Sequence, residues 1–75
     1  MNYLVIELQT TNGKTAHIAT AYDNQPQAES KFHQILSSAS VSNVQTHAAA
    51  LLDEFGNRID GKYYRHGTTE EQSNE

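Results

Sequence analysis

The chain has 75 residues, five bases, nine acids and no cysteine, for a net charge of −4. That length holds one domain at most, and a chain so short buries only about 60% of the surface its unfolded form exposes. Without cysteine there is neither a disulfide nor a thiolate metal site, so stability must come from one well-made core or from self-association. Three of the acids, Glu70, Glu71 and Glu75, lie at the end, and residues 1–66 carry a net charge of −1, which is not the basic excess of a nucleic-acid binder.

Residues 2–10 predict a strand, with Leu4, Ile6 and Leu8 on one face and Tyr3, Val5 and Glu7 on the other. Apolar character on both faces suits a central strand. The short run Leu4-Val5-Ile6 has no basic segment before it and Glu7 just after it, so neither a signal peptide nor a membrane span is expected here. Cytoplasmic location follows as the expectation, in keeping with the absence of cysteine. Thr11-Asn12-Gly13-Lys14 predicts a tight hairpin, because Asn-Gly supplies the two positive φ angles of a type I′ turn. Residues 15–22 form the return strand, with Ala16, Ile18 and Tyr22 on one face and Thr15, His17, Ala19 and Ala21 on the other.

Asp23-Asn24-Gln25-Pro26 predicts a helix start, with Asp23 or Asn24 as cap and proline in the first turn. Ala28, Phe32, Ile35, Leu36 and Ala39 then recur at helical spacing on one face. The serine-rich stretch from Ser40 ends the helix. Residues 44–52 predict a third strand, although the alanine run also suits a helix. Here Val44, Thr46, Ala48, Ala50 and Leu52 share one face, and Gln45, His47, Ala49 and Leu51 the other. Asp53 to Asn57 form a turn around Gly56, and residues 58–66 a fourth strand in which Gly61 marks a bulge. The polar, acidic segment 67–75 is expected to be disordered.

The fold expected is therefore α+β: a ββαββ two-layer sandwich with an antiparallel sheet in order 2-1-3-4 and one helix on one face, in a single domain over residues 1–66. The helix is expected to cover Leu4, Ile6, Leu8 and Ile18. The face left open would carry Tyr3, Val5, His17, Ala19, Ala21, His47, Ala49 and Leu51. So apolar a face on a small protein marks an interaction surface, and sheet-to-sheet homodimerisation is the favoured reading, with Tyr3, Val5, His17, Ala19, His47, Ala49 and Leu51 as the interface. It predicts that Ala49→Glu gives monomers. An open face with no partner and a docking surface for a different protein are the alternatives.

The other residues suggest little chemistry. His17, His33, His47 and His66 show no dense ligand spacing, and zinc needs three or four converging ligands; no metal and no cofactor are expected. Glu29 and His33 form an i,i+4 pair on the helix. Asp23, Asp53 and Glu54 suit turn and capping roles, and neither a nucleophile elbow nor a phosphate loop is present, so no enzyme activity is expected. Arg58, Lys62, Tyr64 and Arg65, with Tyr63, gather on the last strand. Basic residues interleaved with aromatics can hold single-stranded nucleic acid, whereas charge on an edge strand also guards against aggregation. This strand supplies the alternative function, a small nucleic-acid-binding accessory protein.

Tyr3-Leu4-Val5-Ile6-Glu7-Leu8-Gln9-Thr10, Ala28-Glu29-Ser30-Lys31-Phe32-His33, Val41-Ser42-Asn43-Val44 with His47-Ala48-Ala49, and Tyr63-Tyr64-Arg65-His66 together resemble a family of short proteins of Gram-positive bacteria and their phages. The resemblance covers nearly all of residues 3–66. It implies a phage or prophage accessory protein acting in the bacterial host cell, and it carries no assigned activity. Glu29, Lys31, His33 and His47 are the matching residues that would form a shared site or the framework of the fold.

Overall fold

The first hairpin sets the frame for everything that packs on it. In the computed structural model, which describes residues 1–66, strands β1 (Tyr3–Thr11) and β2 (Lys14–Tyr22) pair antiparallel without interruption from Tyr3 opposite Tyr22 to Thr11 opposite Lys14. Asn12 and Gly13 take φ of 53° and 79°, the positive pair that a type I′ turn demands and that asparagine and glycine adopt most easily. The acidic segment 67–75, expected to be disordered, lies outside the described residues.

Helix α1 (Gln25–Ala39) follows, with Pro26 in its first turn. Asn24 is the cap: its backbone is extended, and its Oδ1 accepts a hydrogen bond from the Gln27 N–H at 2.9 Å. Ala28, Phe32, Ile35 and Ala39 are the buried residues of the helix, at the expected spacing. Strands β3 (Thr46–Asp53) and β4 (Arg58–Arg65) close the sheet, so the alanine run Ala48-Ala49-Ala50 is strand. The turn between them is held by Asp53, whose Oδ1 accepts from the N–H groups of Phe55 and Asn57, both at 2.9 Å. Gly56 takes φ of 86° there.

The sheet order is β2-β1-β3-β4 and every neighbouring pair is antiparallel, as the ββαββ reading expects. The bulge in β4 falls at Ile59, between the pairs Leu51–Asp60 and Leu52–Arg58, rather than at Gly61. Gly61 does something else. A Cβ at this position would lie 3.3 Å from the Arg58 guanidinium, so the missing side chain lets Arg58 cross the strand beside it.

The two faces of the sheet are exchanged relative to the sequence-based expectation. The core is formed by Val5, Ala28, Phe32, Ile35, Ala49 and Leu51, with Tyr3, Tyr22 and Leu36 packed at its edge. The helix therefore covers the odd-numbered residues of β1 and β3, not Leu4, Ile6 and Leu8. Ile18 shares the helix side with its partner Glu7, yet it remains 59% exposed because the helix packs mainly on β1 and β3. Alternation states which residues share a face and is silent on which face is covered. The β2–α1–β3 connection joins two parallel strands across β1, and the right-handed rule for such crossovers, not the size of the side chains, selects the covered face.

Candidate interaction surface

Register now assigns each residue of the uncovered face. Directly opposed residues in an antiparallel sheet share a face, and four rows result. Leu4 lies between Ala21 and Leu52, with Arg58 beyond; Ile6 lies between Ala19 and Ala50, with Gly61 beyond. Leu8 lies between His17 and Ala48, with Tyr63 beyond, and Thr10 lies between Thr15 and Thr46, with Arg65 beyond. The centre is aliphatic, one end is a band of threonines, and the charges stand on the β4 margin. Among the described residues, no acidic one lies on this face. Beside Leu8, Ala48, Ala50 and Gly61, under Tyr63 and Arg58, the surface dips into a shallow hollow of about 380 Å³.

The strands thus turn their larger aliphatic side chains away from the helix. Leu4, Ile6, Leu8 and Leu52 point outward, whereas Val5 and Leu51 are the large aliphatics that β1 and β3 give to the core. The outward four are half-buried only because their sheet neighbours shield them. Four strands about 4.8 Å apart and about 3.3 Å per residue over eight residues give a flat area of roughly 500 Å². Patches of that size on a small protein are usually functional.

Of the interface residues expected from sequence, His17 and Ala19 do lie on the open face. Tyr3, Val5, His47, Ala49 and Leu51 lie beneath the helix, and Val5, Ala49 and Leu51 are 1%, 3% and 1% exposed. The correction comes from the turn. With Thr11 opposite Lys14, Ile6 must face Ala19 and Val5 must face Thr20. Ala19 and Val5 therefore never share a side.

Beneath the helix lies a polar cluster that sequence reading missed. His47 Nε2 is 2.6 Å from Glu7 Oε2, and Gln9 Nε2 donates to the same oxygen at 3.0 Å. Burial acts to raise the Glu7 carboxyl, but the hydrogen bonds from His47 and Gln9, with the charges of His47 and Lys31, outweigh it and hold the group below its ordinary value. Bonding to an ionised carboxylate requires the proton on His47 Nε2. His47 Nδ1 is buried and has no hydrogen-bond partner among the described residues. Gln9 stands opposite His47 and Glu7 opposite Ala49 in the β1–β3 ladder, so this trio is legible once that register is known.

The basic and aromatic residues of β4 are divided by the pleat. Arg58 and Arg65 lie on the open face with Tyr63, whereas Lys62 and Tyr64 point to the helix side, opposite Ala49 and His47. Lys62 Nζ sits 5.5 Å from the centre of the Tyr64 ring. Tyr64 stacks on His66 at 6.3 Å, and His66 Nε2 lies 2.7 Å from the carbonyl oxygen of Ala39, at the helix end. Lys62 and Tyr64 line, with His33, Ser37 and Ser40, a shallow groove of about 400 Å³ between helix and strand. Glu29 accepts a hydrogen bond from Gln25 Nε2 at 2.8 Å, and the ring of His33 meets Phe32 edge-on. Among the described residues, no three histidines or acids converge as a metal site would require, and no helix is long and apolar enough to cross a membrane.

No family model, no curated protein and no solved structure matches this chain.

Proposed function

We propose that this chain is a non-enzymatic protein-interaction module that pairs with a second copy of itself through the uncovered sheet face. The observation that carries this reading is the placement of Leu4, Ile6, Leu8 and Leu52 on the side the helix leaves open. A chain of this size has few large aliphatic residues, and leaving four of them half-buried forfeits part of the roughly 1.5–3 kcal/mol that full burial of each would contribute. Pairing two such faces buries on the order of 1,000 Å² in total, the lower bound for a specific interface. The small residues Ala19 and Ala50, which flank Ile6 in the middle row, let two sheets approach to about 10 Å. The resemblance to short proteins of Gram-positive bacteria and their phages supports an accessory role in the bacterial cytoplasm.

The test contrasts two adjacent alanines. Ala50→Glu places a carboxylate in the centre of the open face, where an unpaired chain leaves it in water. The variant is expected to fold, with an unchanged far-UV circular dichroism spectrum, and to show a lower mass by light scattering than the wild type at the same concentration, because the face-to-face contact is lost. Ala49→Glu sets the same charge beneath the helix and is expected to unfold rather than yield folded monomers. A folded Ala50→Glu variant with the wild-type mass in solution would overturn the proposal.

A further inference from the structure

The two edges of the sheet differ sharply, and the difference points to a second contact. Edge strand β4 carries Arg58, Asp60, Lys62 and Arg65 and is bent by the bulge at Ile59; charges and bulges are devices by which edges avoid unwanted pairing. Edge strand β2 has no bulge, and its one lysine, Lys14, stands at its first position. It runs nine residues, against a usual five or six, with no proline, no bulge and no charge between Lys14 and Asp23. Every residue from Lys14 to Ala19 is exposed, and the helix does not reach Ile18. In a two-residue hairpin the closing pair and every second pair beyond it exchange backbone bonds. The N–H and C=O groups of Thr15, His17, Ala19 and Ala21 therefore point outward from the sheet.

We infer that β2 is a strand-pairing edge whose occupant is β2 of a second copy, joined antiparallel about a two-fold axis at Ile18 to make a continuous eight-stranded sheet. Three features favour a second copy. In the register that overlaps all nine residues, His17 meets Ala19 of the partner and Thr15 meets Ala21, so every outward backbone group finds one. The two Ile18 side chains meet at the axis as a non-hydrogen-bonded pair, the closest kind, and cover each other where the helix does not. The ends are complementary: Lys14 falls opposite Tyr22 of the partner, next to its Asp23, while the neutral stretch between them brings no like charges together. Both helices lie on one side of the joined sheet, so this contact leaves the open face free and is separate from the face-to-face pairing.

Amide hydrogen exchange on the full 75-residue chain tests it, read by NMR at high and low protein concentration. The amides of Thr15, His17, Ala19 and Ala21 are expected to be protected at high concentration, with protection falling at least tenfold on dilution. Ile18→Lys, which sets two ammonium groups at the axis and leaves the open face untouched, is expected to abolish that protection at every concentration. Ala50→Glu is expected to preserve it. Edge amides that exchange equally fast at both concentrations would overturn the inference even if the protein is a dimer, because that dimer must then use another surface. Protection that appears only when another protein is added would assign the edge to a foreign strand and overturn it as well.

Discussion

Glu7 and His47 are the residues on which local chemistry most affects the fold. Removing the carboxylate leaves His47 buried with neither ring nitrogen answered, and an orphaned buried polar group costs about 1–3 kcal/mol. Glu7→Ala is therefore expected to lower the urea midpoint of unfolding by a margin that a chain this small feels strongly. The pH dependence follows from the direction of the Glu7 shift. Its folded-state carboxyl lies below the ordinary value of 4.5, so the unfolded chain takes up the proton first. The stability it contributes is complete above pH 4.5 and is lost as the pH falls below it. Asp53, held low chiefly by the Asn57 backbone N–H and also by that of Phe55, acts in the same direction. Unfolding curves at about pH 6 and about pH 3 should show the loss, and Glu7→Gln should make it shallower; an equal loss in wild type and Glu7→Gln would show that Glu7 takes no part. The pair was hidden in the sequence because Glu7 and His47 lie forty residues apart and meet only through the β1–β3 register.

At the scale of elements, each strand, turn and cap follows from a residue whose local physics permits little else. Asn12-Gly13 closes the first hairpin, Asn24 and Pro26 start the helix, Ser40 ends it, and Asp53 with Gly56 turns the second hairpin. These were legible in the chain, as were the sheet order and the buried stripe Ala28, Phe32, Ile35 and Ala39. The side of the sheet taken by the helix was not legible from alternation, since Leu4, Ile6 and Leu8 read as a better core than Val5 alone. The hand of the crossover sets that side. That Ala19 stands across from Ile6 and so cannot share a face with Val5 was, by contrast, recoverable, because a two-residue turn between Thr11 and Lys14 fixes every partner in the hairpin. The cap invites a direct test: Asn24→Ala removes the acceptor for the Gln27 N–H and should cost about 1 kcal/mol, seen as an earlier denaturant midpoint. An unchanged midpoint would mean that a neighbour such as Asp23 takes over the cap.

The whole molecule is a sheet with one covered face, one bare apolar face, one guarded edge and one unguarded edge. Its core is small: Phe32, Leu51 and Val5 are its largest fully buried side chains. Phe32→Ala, at a usual cost of about 3–5 kcal/mol for such a truncation, is expected to leave little folded protein at 37 °C; a cooperative thermal transition close to that of the wild type would mean that something outside this core holds the chain together. A small core beside four outward aliphatics is the reason to regard association as part of the fold's stability, since whatever binds only the native state stabilises it. The most direct measurement is an isotope-filtered NMR experiment on a mixture of differently labelled 75-residue chains, which reports only contacts between copies. The proposal predicts intermolecular contacts from the methyl groups of Leu4, Ile6, Leu8 and Leu52 and none from Val5 or Leu51. A concentrated sample in which those four methyl groups give no intermolecular contact would contradict it.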